Sequence, residues 1–292
     1  MSTTENTRDS ASKKNADIAP QFRVLKESLR SIKHKFLVMS SQGGVGKTSV
    51  VVNLAVALSK RKVKVGLMDA NFHDPDIQRM FDLELPVEGD SDKRLIPVAH
   101  SDDLKVASIA SVMQDNDETG VCWGKPLKIS DIRWFISGVN WGSLDYLFVD
   151  TPPGPGEELL TLVRAIPEAK TILVTAPNKI CRDRAKEMIN FFEKEDIPIF
   201  GWIENMQGFL CQDCGRRQEL FSSGSGSRAI FLMDIPFLGR IPIDPYLSEC
   251  VDAGELFMEK YPDSQAAEAS NLIAEKVMES NQTVLSEDNS EA

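Results

Sequence analysis

No apolar stretch in this 292-residue chain reaches the ~18–20 residues needed to cross a bilayer, so no membrane-spanning helix is expected. Residues 1–20 contain no hydrophobic block of the signal-peptide kind, which argues against a secretory leader. Positive charge is scarce. Lys and Arg number 33 against 44 Asp and Glu, for a formal net charge of -11. The longest basic run is Lys60, Arg61 and Lys62, which Val63 ends. A chain of this balance repels nucleic-acid phosphates and anionic lipids, so neither nucleic acid nor membrane is expected as a partner. Residues 279–292 carry four acidic side chains and no basic one, and so lack the cations of a membrane-binding amphipathic helix. Cysteine is also sparse, at five, an odd number with only one close pair. That is no disulfide framework for a chain able to bury a large core, and it points to a reducing, cytoplasmic setting. Cys122, Cys181 and Cys250 stand alone and are expected as small buried residues. No internal repeat is present.

What is present is a hydrophobic fraction of 42%, enough for one sizeable core. Residues 1–20 and 279–292 are polar enough to be expected as disordered tails around one domain at 21–278. Inside it, short continuous apolar runs alternate with helical patterns. Strands are expected at 36–39, 63–68, 104–109, 146–149, 171–175, 198–203 and 237–241. Helices are expected over 49–59, where Val50, Val51, Leu54, Ala55 and Leu58 form a stripe, and near 182–194. The polar stretch 86–103 reads as a surface insertion. This pattern predicts an α/β fold, a single domain with a mostly parallel sheet covered by helices on both faces. Ligands of such sheets sit at the carboxyl ends of the strands.

Chemistry concentrates at three of those ends. The first apolar run leads into Ser41, Gln42, Gly43, Gly44, Val45, Gly46, Lys47 and Thr48, and then a helix opening at Ser49. Glycines let backbone N–H groups of 43–46 converge on phosphate oxygens, and the helix N-terminus adds positive potential. Lys47 is expected at the terminal phosphates of a nucleoside triphosphate, and the Thr48 hydroxyl on Mg2+. Asp150 ends a second run and opens Asp150, Thr151, Pro152, Pro153, Gly154. Asp150 is expected to hold Mg2+ through water, with Gly154 near the terminal phosphate. Asp69 ends a third run, two residues before Asn71. His73, Asp74 and Asp76 follow, either as substitutes for a missing acidic group or as an ordinary polar surface loop. A fourth feature is Cys211, Gln212, Asp213, Cys214. Two thiolates at this spacing can share a soft metal or a cluster, or form a redox pair. Zinc and cubane clusters usually take four ligands, so two chains meeting at this loop would complete a site. Ligand spacing leaves zinc and iron–sulfur equally open.

The double glycine with Gln42 before it resembles the deviant phosphate loop of the MinD/ParA/nitrogenase-iron-protein superfamily. In that pattern, a lysine at position 42 reaches across a dimer, and a second acidic residue at position 71 helps place the attacking water. Gln42 and Asn71 depart from it. The run Glu204, Asn205, Met206, Gln207, Gly208, Phe209, Leu210, Cys211, Gln212, Asp213, Cys214 resembles the signature of the Mrp/ApbC/Nbp iron–sulfur carrier ATPases. Trp141–Tyr146, 222–226 and 237–245 follow the same pattern, so the likeness covers about residues 21–275. The resemblance implies a cytoplasmic homodimer that binds ATP and Mg2+. It further implies a 4Fe-4S cluster between paired Cys211 and Cys214 loops, with apo-proteins as acceptors. It assigns Asn205 to reading adenine and Pro242 and Asp244 to the base-packing loop. Lys47, Asp69, Asn71 and Asp150 become the candidate catalytic set of a slow ATPase.

Overall fold

The computed structural model describes residues 29–83, 89–90, 94–110, 129–166, 168–210, 216–218 and 234–288. The strands are β1 (Ile32–Ser40), β2 (Val65–Asp69), β3 (Val98–Ser101), β4 (Leu104–Ser108), β5 (Leu144–Asp150), β6 (Lys170–Thr175), β7 (Ile199–Glu204), β8 (Phe209–Leu210), β9 (Arg217–Gln218) and β10 (Phe237–Arg240). The described helices are α1 (Lys47–Ser59), α2 (Ile77–Met80), α3 (Ile129–Gly138), α4 (Glu157–Ala165), α5 (Lys179–Lys194), α6 (Pro245–Ala253), α7 (Phe257–Lys260) and α8 (Gln265–Asp288).

Eight strands form one sheet in the order β10-β7-β6-β1-β5-β2-β4-β3. All neighbours run parallel except β3 and β4. Alternation along β1 explains why its apolar run is unbroken. Phe36 and Val38 enter the core on one face, and Leu37 and Met39 enter the core on the other. The first core is closed by α1, α6, α7 and α8, the second by α3, α4 and α5. Both faces being covered, the strands need no polar side.

Register brings the chemistry together. Val38 and Asp69 are both opposite Asp150 in neighbouring strands, and Thr175 is opposite Glu204. The phosphate loop, Asp69 and Asp150 therefore leave the sheet along one edge.

Three expectations are corrected. Part of the stretch 86–103 is not a plain surface insertion: Val98–Ser101 adds an antiparallel edge strand on β4. The helices α3, α4, α6, α7 and α8 were not marked by the periodicity used for 49–59 and 182–194. Helix α8 runs to Asp288, past residue 279 where a disordered tail is expected. Its buried positions Ala266, Ala267, Ile273, Ala274 and Val277 seat it in the first core and give the chain a reason to stay helical. Residues 1–20, Cys122, Cys211, Cys214 and the stretch 222–226 lie outside the described residues. No described helix is long and apolar enough to cross a membrane.

Candidate functional site

Strand β1 ends at Ser40, whose hydroxyl donates to the Gln42 carbonyl at 2.9 Å and so starts the loop's turn. Gly44 and Gly46 hold φ of +78° and +74°, the left-handed region that glycine enters without strain. At Gly46 there is a second constraint: a Cβ would lie 2.4 Å from Asn205 Nδ2. Helix α1 begins here with no side-chain cap on its first N–H groups. Uncapped N–H groups at a helix start are an anion site.

Beside the loop is a cavity of about 290 Å³. Its walls include Gly43, Gly44, Val45, Gly46, Lys47, Thr48 and Ser49 of the loop and helix start, together with Asn71, His73, Asp74, Asp76 and Pro153. Lys47 is 6% exposed, and its Nζ lies 2.5 Å from Asp150 Oδ1. Thr48 Oγ1 donates to Asp150 Oδ2 at 2.7 Å. Asp150 itself is wholly buried. A buried carboxylate with an ammonium and a hydroxyl on its two oxygens is a hard-cation site in outline. Mg2+ prefers oxygen donors and keeps several waters, and the Thr48 hydroxyl and Asp150 carboxylate supply such donors side by side. Gly154, at φ +82°, donates its N–H to the Ser40 carbonyl at 2.8 Å, and so ties the segment after Asp150 to the loop.

Asp69 is placed differently. It is fully buried and is not among the cavity's walls. Its Oδ1 accepts from the Asn71 N–H at 3.2 Å, and its Oδ2 from the Ile77 N–H at 3.2 Å and the Ser108 hydroxyl at 3.0 Å. Burial, reinforced by the charge of Asp150, pushes its pKa up to about 8 despite those donors. Asp69 thus organises the loop 71–77 from behind. Ser108, on β4, is a partner no local sequence signal marks.

Asn71 is 7% exposed and lines the cavity. Its Nδ2 donates to the Asp74 carbonyl at 2.8 Å, while its Oδ1 is buried without a hydrogen-bond partner. His73 Nε2 lies 2.8 Å from Glu158 Oε2 and joins this loop to α4. Gln42 Nε2 donates to Cys181 Sγ at 2.9 Å. Cys181, expected as an inert buried residue, is indeed buried, and it also holds Gln42 against its own chain. Cys250 is buried in the first core.

Asn205 Nδ2 donates to the Val45 carbonyl at 2.9 Å, which places it against the phosphate loop. Pro242 and Asp244 are outside the cavity walls. Asp244 caps α6, its Oδ1 accepting from the Tyr246 N–H at 3.1 Å. The backbone of 207–209 is fixed to 241–243 by the bonds Gln207 N–H to Ile241 and Ile243 N–H to Gly208, and by the bridge of Phe209 with Ile243. From there the hairpin β8–β9 pairs Phe209 with Gln218 and Leu210 with Arg217. Cys211 and Cys214 fall between those strands in sequence and lie outside the described residues. Among the described residues, no cluster of three or more His, Cys, Asp or Glu could hold a metal ion.

Known proteins are similar to this chain over most of its length. The family model described as "ParA: NUBPL iron-transfer P-loop NTPase" matches residues 31–278. A protein of Methanocaldococcus jannaschii named iron-sulfur cluster carrier protein is 38% identical over 265 residues, covering 90% of each chain. The Danio rerio protein named cytosolic Fe-S cluster assembly factor nubp2 is 35% identical over 261 residues, covering 87% of this chain and 97% of its own. A solved nucleotide-binding protein of Archaeoglobus fulgidus in complex with ADP is similar at a TM-score of 0.71 and 33% identity, with 84% of this chain and 95% of that one covered. Matches of this extent mean that the chain belongs to the ParA family of NUBPL iron-transfer P-loop NTPases.

Proposed function

We propose that this protein is an ATP- and Mg2+-binding carrier of iron–sulfur clusters. The observation that carries the nucleotide half is the cavity in which uncapped α1, Lys47, Thr48 and Asp150 converge. Lys47 would turn from Asp150 to the terminal phosphates, and Thr48 and Asp150 would hold Mg2+, which would supply countercharge to those phosphates. The relative solved with ADP supports a nucleotide here. Asn205, whose Nδ2 bonds the Val45 carbonyl of the phosphate loop, is the residue to which this reading assigns the adenine base.

The carrier half rests on the Cys211 and Cys214 pair and on relatives named as cluster carriers or cytosolic assembly factors. The cargo is a 4Fe-4S cluster held by two cysteines from each chain of a homodimer, and it passes to apo-proteins in the cytoplasm. Turnover of ATP is slow. Gln42 brings no charge and is engaged with Cys181 of its own chain, and Asn71 is no base.

Anaerobic reconstitution with iron and sulfide tests the reading. The parent chain is expected to take up about four irons per two chains, with a doubling of mass by sedimentation. The double variant Cys211→Ala, Cys214→Ala is expected to bind ATP normally and retain no cluster. Full retention of iron and sulfide by that variant would sink the carrier assignment. Zinc in place of iron after purification under both metals would assign the cysteines to a structural ion.

A further inference from the structure

An attacking water needs an acceptor for its proton, and a carboxylate is the usual one in phosphoryl transfer. The acidic groups around the cavity divide by what already occupies them. Asp150 is engaged by Lys47 and Thr48. Asp69 is sealed behind the loop by three donors. Asp74 also lines the cavity, but it is exposed to solvent, and only its backbone carbonyl is engaged, by the Asn71 amide. Asp76 is different. It lines the same cavity as Lys47 and Thr48 and is half-buried. Its side chain makes no capping bond to α2. Its ion-pair neighbour among the described residues is Arg79, 3.8 Å away and itself 83% exposed.

A second observation points the same way. Asn71 lines that cavity with Oδ1 buried and unpaired. The bond from Nδ2 to the Asp74 carbonyl fixes which end of the amide is which, because a flipped amide would set oxygen against oxygen. A buried acceptor without a donor is unfavourable until a donor arrives. Asn71 and Asp76 thus bring two acceptors to a cavity that the phosphate loop also lines, and a water has two protons to give.

We propose that Asp76 supplies the carboxylate that orients the attacking water and accepts its proton, with Asn71 Oδ1 accepting the water's other hydrogen. The acid that position 71 lacks has moved to position 76 of the same loop. The water oxygen bonds to the γ-phosphorus as the bond to the β–γ bridging oxygen breaks. ADP leaves with that bond's electron pair, and the proton goes to Asp76. Burial and the charges of Asp74 and Asp150 raise the Asp76 pKa, while Arg79 and Lys47 oppose the rise, so the carboxylate is a better base than an exposed one.

The inference rests on the nucleotide reading, so binding and turnover are measured separately on the full chain. A fluorescent ATP analogue reports affinity, and phosphate release reports turnover. Asp76→Asn is expected to bind the analogue like the parent and to lose about 100-fold in kcat. Adding Asn71→Asp to that variant is expected to restore turnover, because it puts a carboxylate back in the same cavity. An Asp76→Asn chain with kcat within about twofold of the parent overturns the proposal. So does a loss carried wholly by affinity, or a parent chain that binds the analogue and releases no phosphate. A parent chain that fails to bind the analogue instead overturns the nucleotide reading itself.

Discussion

Lys47 and Asp150 are each other's countercharge in a nearly dry place, at 6% and 0% side-chain exposure. Removing one partner of a buried pair leaves the other charge uncompensated, at about 3–5 kcal/mol. Lys47→Ala is therefore expected to fail twice: nucleotide affinity falls by at least about tenfold, and the unfolding midpoint drops even without nucleotide. Titration with a fluorescent analogue and urea denaturation check the two separately. Unchanged affinity would remove the phosphate-loop assignment. Asp69 makes a different prediction. Its native pKa, about 8, is above its unfolded value near 3.8. The native state therefore binds the proton that the unfolded state has already released. This group costs nothing below about pH 4, and its cost grows until about pH 8. Asp69→Asn carries a constant offset from altered hydrogen bonds, but no titration. Its unfolding free energy relative to the parent is expected to improve steadily from acid to mildly basic pH. A flat difference across that range would show that Asp69 is ionised in the native state.

At the scale of the elements, the helices that close the first core were hardest to read. The stripe of α1 is visible because its apolar residues recur over a short, uninterrupted span. Helix α8 hides behind polar composition: buried Ala266, Ala267 and Ala274 are small, and apolar bulk is thin between them. The helix is held by what it meets. A Cβ at Gly239 would come within 2.6 Å of Ile273, so the glycine in β10 is what lets α8 approach. Ile273→Ala is expected to destabilise the protein by about 2–5 kcal/mol, measured by urea denaturation, with nucleotide affinity nearly unchanged. A shift under about 0.5 kcal/mol would mean that α8 is not seated as described. The edge strand β3 escaped for another reason: its Val-Ala-His-Ser has one strong apolar residue and takes its strand form from pairing with β4.

For the molecule as a whole, charge sets the terms of binding. The chain carries a formal charge of -11, and Asp74, Asp76 and Asp150 surround or adjoin the cavity. A triphosphate entering there meets one buried lysine and several acids, so a divalent cation must accompany it. Removing Mg2+ with a chelator is expected to weaken ATP binding by at least about tenfold, and added NaCl should not restore it. Binding that is indifferent to chelation would contradict the Thr48 and Asp150 roles. By itself, the sequence determined the parallel α/β class, the phosphate loop and its departures at Gln42 and Asn71, because unbroken apolar runs and a glycine-rich strand-to-helix turn are local and have few other physical readings. Only the tertiary structure decided where the acids stand. Asp69 is sealed behind Ser108, Gln42 is turned onto Cys181, and Asp76 is brought to the phosphate loop, all by strand register and by partners distant in the chain, which no local pattern encodes.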